Sequence, residues 1–253
     1  MPVGDFEAVL FNKPLAVFLA RIFGAKGVHD HLRIAPLVRY ASRHWRGRDL
    51  RVLEVGCGEG LSLFELAKVL GPRMSGQGYD FDPVDIELAQ RVAAARFPQV
   101  KFFCQDAATL VDMGERFDVI LFMDFLEHVS QPAAIIAKLA PCLRKGGEVV
   151  VSVPTPRYPI IFTRAMHERI GHLVEGYTEA SLRALFPAEF SLTLLSRNTG
   201  TPAQWGCWLQ ARLPRLGYLL GWAVSIVLTS IFRKLDWFNG SQSCSLFAVF
   251  KKS

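Results

Sequence analysis

The sequence is poor in several things, and each lack removes a class of protein. There are only five cysteines in 253 residues, Cys57, Cys104, Cys142, Cys207 and Cys244. They are scattered without the paired spacing of a zinc module, and their odd number argues against a disulfide framework. A reducing compartment follows. No secretory leader is legible either, because Asp5 and Glu7 precede the first basic residue and no small-residue cleavage site follows. Acidic residues almost vanish from the last 57 positions, where Asp236 faces seven lysines and arginines. Residues 1–50 are also basic, with eight against four, while residues 51–196 carry fourteen against eighteen acids. An acidic centre between basic ends fits a catalytic body flanked by segments that meet something anionic, a membrane surface or a nucleic acid.

What is present is abundant apolar residue, 51% of the chain. That excludes disorder, and the length allows one well-filled domain with an added subdomain. The stretch Val52 to Gly60, VLEVGCGEG, is an apolar run closed by glycines at alternate positions. A buried parallel strand that must turn at once into a helix, with a ligand lying against its backbone, needs this composition. Leu61, Phe64, Leu66, Ala67 and Leu70 recur at helical spacing, so the loop opens a helix whose free N–H groups face the ligand. The dinucleotide pattern GxGxxG would require glycine at 61, where the chain has Leu61. Asp80 ends the next apolar segment, close to the distance at which a carboxylate accepts ribose hydroxyls.

The later segments alternate in the same way. The pattern predicts strands over 50–55, 75–80, 100–105, 117–122, 148–153, 190–195 and 245–250, with helices over 83–96 and 132–143. Arg144, Lys145, Gly146 and Gly147 are expected to close the latter. Upstream, Pro36 is expected to interrupt or start a helix over 30–46, with Leu37, Tyr40, Ala41 and Trp45 on its apolar stripe. Thr178 fits the N-cap of a short helix, with Ser181 making an incomplete capping box.

Taken together, the glycine loop with Glu54, Asp80, Asp106 and the Glu127-His128-Val129 tripeptide resembles the class I S-adenosylmethionine-dependent methyltransferases, in particular their small-molecule and quinone-biosynthesis branch. The resemblance runs over about residues 48–196 and, more weakly, the last strand. It implies an α/β Rossmann-like seven-stranded sheet of order 3-2-1-4-5-7-6 with helices on both faces. The domains expected are an N-terminal helical cap (1–47), a core (48–197 and 244–253) and a hydrophobic helical insertion (198–243).

The resemblance also implies S-adenosyl-L-methionine as cofactor, held by Glu54, Gly56, Cys57, Gly58, Gly60, Asp80, Phe81, Asp106, Ala107, Met123 and Asp124. Asp106 would meet the adenine amino group, a helix cap being its alternative role. Glu127, Tyr158, His167 and Tyr177 are expected to touch the acceptor. The reaction needs alignment of a nucleophile behind the activated methyl and, for a hydroxyl acceptor, removal of a proton. His172 in the Gly171-His172 stretch, then His128, then His167 are the bases in order of expectation, a purely structural role standing beside each. No spacing argues for a metal. Cys57 reads as a small loop residue with no covalent role. The turn after strand five, Pro154-Thr155-Pro156, lacks the aromatic-bearing pattern of amino-group methylation on bases and glutamine.

Two apolar stretches fall outside the resemblance. Residues 6–23 fit a substrate lid, a membrane-contacting helix, a dimer contact or a core-packing helix. Leu216 to Phe232 is a run of 17 residues without charge between Arg212, Arg215 and Arg233, Lys234. This is just short of a normal membrane span. Because strand seven must return to the same sheet, a single crossing is excluded. A helical hairpin lying on a leaflet is expected, with a dimer interface or a buried subdomain helix as competitors. A membrane-contacting element suits a small hydrophobic or lipid-linked acceptor, in the cytoplasm and peripheral to the membrane. RNA methylation is the alternative within enzymes, and a non-catalytic binding protein of the same fold is the alternative outside them; no RNA-binding module is visible.

Overall fold

Alternation along the strands sorts the side chains into two cores. In β1 (Leu50–Val55) Val52 points to one face of the sheet while Leu53 and Val55 point to the other. In β4 (Phe117–Met123) Val119, Leu121 and Met123 face the first core, and Ile120 and Phe122 the second. Both faces of these strands are buried, which is why they read as nearly continuous apolar runs. The computed structural model describes residues 28–110, 116–156, 171–202, 204–205, 231 and 243–253.

The elements follow in the order α1 (Val28–His44), β1, α2 (Leu61–Leu70), β2 (Met74–Asp80), α3 (Pro83–Arg96), β3 (Val100–Cys104), β4, α4 (Pro132–Leu139), β5 (Leu143–Pro154), α5 (Glu179–Arg183), β6 (Phe190–Asn198) and β7 (Ser245–Lys252). They form one seven-stranded sheet of order 3-2-1-4-5-7-6. Strand β7 runs antiparallel to β5 and β6, and the pairs from β3 across to β5 are parallel. The order expected from the resemblance is the order found. Adjacent β1 and β4 mark the place where the strand order reverses, and a crevice opens beyond their carboxyl ends.

Three local expectations need correction. Pro36 neither starts nor breaks α1, which runs unbroken from Val28 to His44 with the proline inside. Leu37, Ala41 and Trp45 are wholly buried on the first core, and that packing offsets the lost hydrogen bond. Helix α4 stops at Leu139, because Pro141 cannot continue it and Ala140–Cys142 tighten into a 3-10 turn. Arg144 to Gly147 therefore do not cap a helix; they lie in β5, where the register against β4 shifts and Gly146 takes φ 74°. The irregularity acts as a bulge. At Thr178 the capping box is complete: its Oγ1 accepts the Ser181 N–H at 3.1 Å, and Ser181 Oγ accepts the Thr178 N–H at 2.9 Å.

Helix α1 is stapled across the sheet. The Trp45 indole donates to Glu148 Oε2 at 2.7 Å and the Tyr40 hydroxyl to Oε1 at 3.2 Å. Burial and the Glu148 charge push the Tyr40 phenol above its usual range, so the hydroxyl stays a donor. Among the described residues no helix is long and apolar enough to cross a membrane. The 6–23 stretch and, apart from Ile231, the 216–232 run lie outside the described residues, and so do most of the proposed insertion, Tyr158 and His167.

Candidate active site

A cavity of about 1100 Å³ opens at the carboxyl ends of β1, β2 and β4. It is at the upper end of ligand-site sizes, with room for two molecules side by side. Its floor is the glycine loop. Gly56 (φ 72°) and Gly60 (φ 82°) sit where a Cβ would lie 2.2 Å from the Phe125 ring and 2.4 Å from the Phe102 ring. Both positions therefore require glycine. Asp80 shapes this loop from β2: its Oδ2 accepts the Gly58 N–H at 2.8 Å and its Oδ1 the Asp82 N–H at 3.0 Å. The carboxylate also lines the cavity, so its remaining lone pairs face a ligand.

Glu54 lies under the loop, buried, with Oε2 lacking a hydrogen-bond partner. Burial pushes its carboxyl up to about 8, against the pull of Ser62, Arg33 and the Leu63 N–H. A buried carboxyl with a spare oxygen on a cavity wall is suited to a cationic ligand group. Asp124, at φ 49°, closes the opposite wall; its Oδ1 accepts from Ser152 Oγ at 3.0 Å, and it is ion-paired with Arg33 of α1. Arg33 also donates to the Met123 carbonyl at 3.2 Å and lines the cavity. Sequence reading missed Arg33. Its only signal is an arginine one turn before Leu37, on the apolar stripe of a helix, and the sheet edge it reaches is 90 residues away.

Of the eleven residues expected at the cofactor, all but Gly60 line the cavity. Phe81, 76% exposed, offers a flat apolar wall beside Asp80. Asp106 lines the cavity and also caps the turn that follows, accepting the Ala108 N–H at 2.8 Å. Cys57 is buried against Gly78, and burial with Glu54 and Asp80 nearby pushes its thiol far up, out of nucleophilic range. The donor set fits S-adenosylmethionine: a ribose carboxylate, a glycine backbone, a flat apolar wall, and a buried carboxyl for a cation.

Beside this lies a clamp of two segments. The 3-10 turn Leu126–His128 receives residues 171–177: Glu127 O accepts the Leu173 N–H at 2.8 Å and the Val174 N–H at 3.3 Å, and Leu126 O accepts the Tyr177 hydroxyl at 2.9 Å. Tyr177 N–H bonds Pro154 O at 2.7 Å. His128 lines the cavity, and its Nδ1 lies 3.3 Å from Gly171 O. With Nδ1–H donated to that carbonyl, Nε2 is left as the proton acceptor. Burial holds the His128 imidazolium below the ordinary range, a shift the Gly171 bond and Asp124 only partly oppose.

His172 does not line the cavity; it meets His128 ring edge to face, with centroids 4.7 Å apart. Of the two histidines, His128 is the one that lines the cavity. Glu127 and Tyr177 are buried and do not line the cavity; the Glu127 carbonyl and the Tyr177 hydroxyl are among the groups that join the two segments. The donors of Glu127, His128 and His172 lie within 4.8 Å of one another, a closeness that sequence spacing did not disclose. One carboxylate and two imidazoles are ligands a divalent cation accepts, but donors about 2.1 Å from one ion in a tetrahedron sit roughly 3.5 Å apart. The group would have to contract to hold one.

The clamp depends on Gly176, where a Cβ would lie 2.4 Å from the Thr155 carbonyl carbon. Backbone cannot yield to it. Gly176→Ala is expected to destabilise the protein by about 1–3 kcal/mol and to lower the melting temperature by several degrees, while S-adenosylhomocysteine still binds. Thermal melts with and without that ligand check both halves.

Residues 28–197 match the family described as a methyltransferase domain. The chain belongs to that family. The match begins at α1, earlier than the resemblance legible in the sequence, in keeping with the contribution of Arg33 to the cavity. Among curated proteins this methyltransferase-domain chain is similar to the ubiquinone biosynthesis O-methyltransferase of Parvibaculum lavamentivorans, 36% identical over 104 residues, 41% of this chain and 40% of that protein. The chain thus spans about 40% of the length of the relatives it matches first. Among solved structures it is similar to coclaurine N-methyltransferase, at TM-score 0.60 and 17% identity, covering 87% of this chain and 72% of that one. It is also similar to the 4+2 cyclase SpnF, at TM-score 0.58 and 22% identity, covering 87% and 80%. Likeness at this level shows the fold, and the second name shows that the fold does not by itself decide the chemistry.

Proposed function

We propose that the protein transfers the methyl group of S-adenosylmethionine to a hydroxyl of a small, hydrophobic acceptor. The observation that carries this is His128: one ring nitrogen is tied to a backbone carbonyl, the other is left basic, and the ring stands on the same cavity wall as the cofactor residues. Bound in the glycine loop, the cofactor supplies an already activated methyl. Asp80 would hold the ribose, Phe81 would cover the adenine, and the buried Glu54 and the Arg33–Asp124 pair would take the charged amino-acid end. His128 would accept the proton the hydroxyl gives up. Its depressed basicity keeps it neutral at pH 7.

A hydroxyl acceptor agrees with the name of the Parvibaculum relative. The apolar character is supported by the sequence outside the core, where the uncharged run 216–232 between basic residues suits contact with a membrane surface. We place the protein in the cytoplasm, against that surface, with self-association through residues 6–23 or 198–243 as a further proposal. The test is incubation of the full chain with methyl-labelled cofactor and a total lipid and metabolite extract. Label in a lipophilic hydroxyl compound is expected, and label only in a soluble amine, in RNA or nowhere would overturn the reading.

A further inference from the structure

The rim of the cavity carries a feature that neither cofactor binding nor proton transfer uses. Leu173 is 63% exposed and Val174 38% exposed, although their backbone is tied down by hydrogen bonds. Both N–H groups are bonded to Glu127 O, and the segment is pinned on either side by Gly171 to His128 and by Tyr177 to Leu126 and Pro154. A flexible loop could turn such side chains inward; this one presents them to solvent at a fixed place. Leu173 lines the same cavity as His128, and Val174, next to it in the chain and outside the lining, extends the apolar surface outward from the rim. The other exposed large apolar residue that lines the cavity, Phe81, stands beside Asp80 and is accounted for by the proposed cofactor contact.

We infer that Leu173 and Val174 are specificity residues: they form an apolar sill that receives the hydrocarbon substituent of the acceptor while its hydroxyl reaches past them to His128. The inference rests on the reading of the site as one for a hydroxyl acceptor, and deepens it by assigning the tail to a definite place. Rim and base are one rigid unit, since the turn that carries His128 also accepts the hydrogen bonds that fix the sill. A tail seated on Leu173 therefore sets the distance of the head from His128 Nε2. The exposed apolar surface of the sill is removed from water when a chain of several methylenes lies on it, and only then.

The experiment is a calorimetric titration of the full chain, saturated with S-adenosylhomocysteine, with 4-ethyl-, 4-butyl-, 4-hexyl- and 4-octylphenol as probes. For the unaltered protein affinity is expected to rise by roughly threefold per methylene until the sill is covered. In Leu173→Ser/Val174→Ser the rise flattens, with octylphenol weakened about tenfold and ethylphenol within twofold. Leu173→Met, which keeps the apolar surface, restores the slope. Val84→Ser alters a residue 70% exposed but outside the cavity, and leaves the slope unchanged. An equal slope in the double variant, or no dependence on chain length in the unaltered protein, would overturn the inference. Failure of S-adenosylhomocysteine to bind would count instead against the cofactor reading, and the phenol series without it still reads the sill.

Discussion

Replacing Asp80 with alanine is expected to weaken S-adenosylhomocysteine binding at least a hundredfold, in a calorimetric titration, with the free protein still folded at the assay temperature. The size follows from two losses that fall together. A carboxylate accepting ribose hydroxyls contributes about 1.5–3 kcal/mol per charged hydrogen bond, and every tenfold in affinity is about 1.4 kcal/mol. The same side chain also ties the Gly58 and Asp82 N–H groups, so its removal frees the loop that must be preorganised. Asp80→Asn retains an acceptor oxygen but turns an amide toward one of its donors, and an intermediate loss, on the order of tenfold, is expected. Unchanged affinity in the alanine variant would remove Asp80 from the cofactor site altogether.

The second large effect is at His128. His128→Ala is expected to lower kcat by about 10²–10⁴, the range for loss of a positioned general base, with cofactor affinity within a few fold. His172→Ala is expected to cost an order of magnitude or less, because His172 does not line the cavity and meets the His128 ring edge to face. The pH dependence has a definite sign. The base works when neutral, and burial disfavours its charged form, so its folded-state pKa lies below the usual 6.5. Activity should be level above about pH 6.5 and fall only on the acid side of that value. A limb rising through neutral pH, or one that survives in His128→Ala, would show that another group takes the proton.

The parts of the fold that could be read from the sequence are those where local composition and tertiary demand agree. The run LRVLEV leading into alternate glycines can only be a buried strand meeting a ligand loop, and the structure builds it so. Asp80 and Asp106 were legible because strand ends in such a sheet all point to one edge. What could not be read depends on distant partners. Pro36 looked like a break because its neighbours in sequence say nothing of the sheet that α1 is packed on. Gly146 and Gly147 looked like a helix end because the register of β5 against β4 is not written locally. Arg33 and the Glu127, His128, His172 cluster are pairings across the chain, and which histidine lines the cavity is likewise set by residues far apart in sequence.

The end of β5 has a bearing on how such a protein could be remade. Thr155 accepts the return of the chain, with its N–H on Cys244 O at 2.9 Å and its hydroxyl on Ser243 O at 3.0 Å. Cys244 N–H in turn bonds Thr199 O at 3.2 Å, and Thr199 meets Ser245 at 3.1 Å through their hydroxyls. The chain thus departs from the sheet and re-enters it at hydrogen-bonded neighbours, as it would across a hairpin. The cost of closing a loop grows only slowly with its length, so the junction works as a socket: a longer or shorter stretch between these two ends is expected to leave the pairing of β6 with β7, and the sheet edge that carries the cavity, in place.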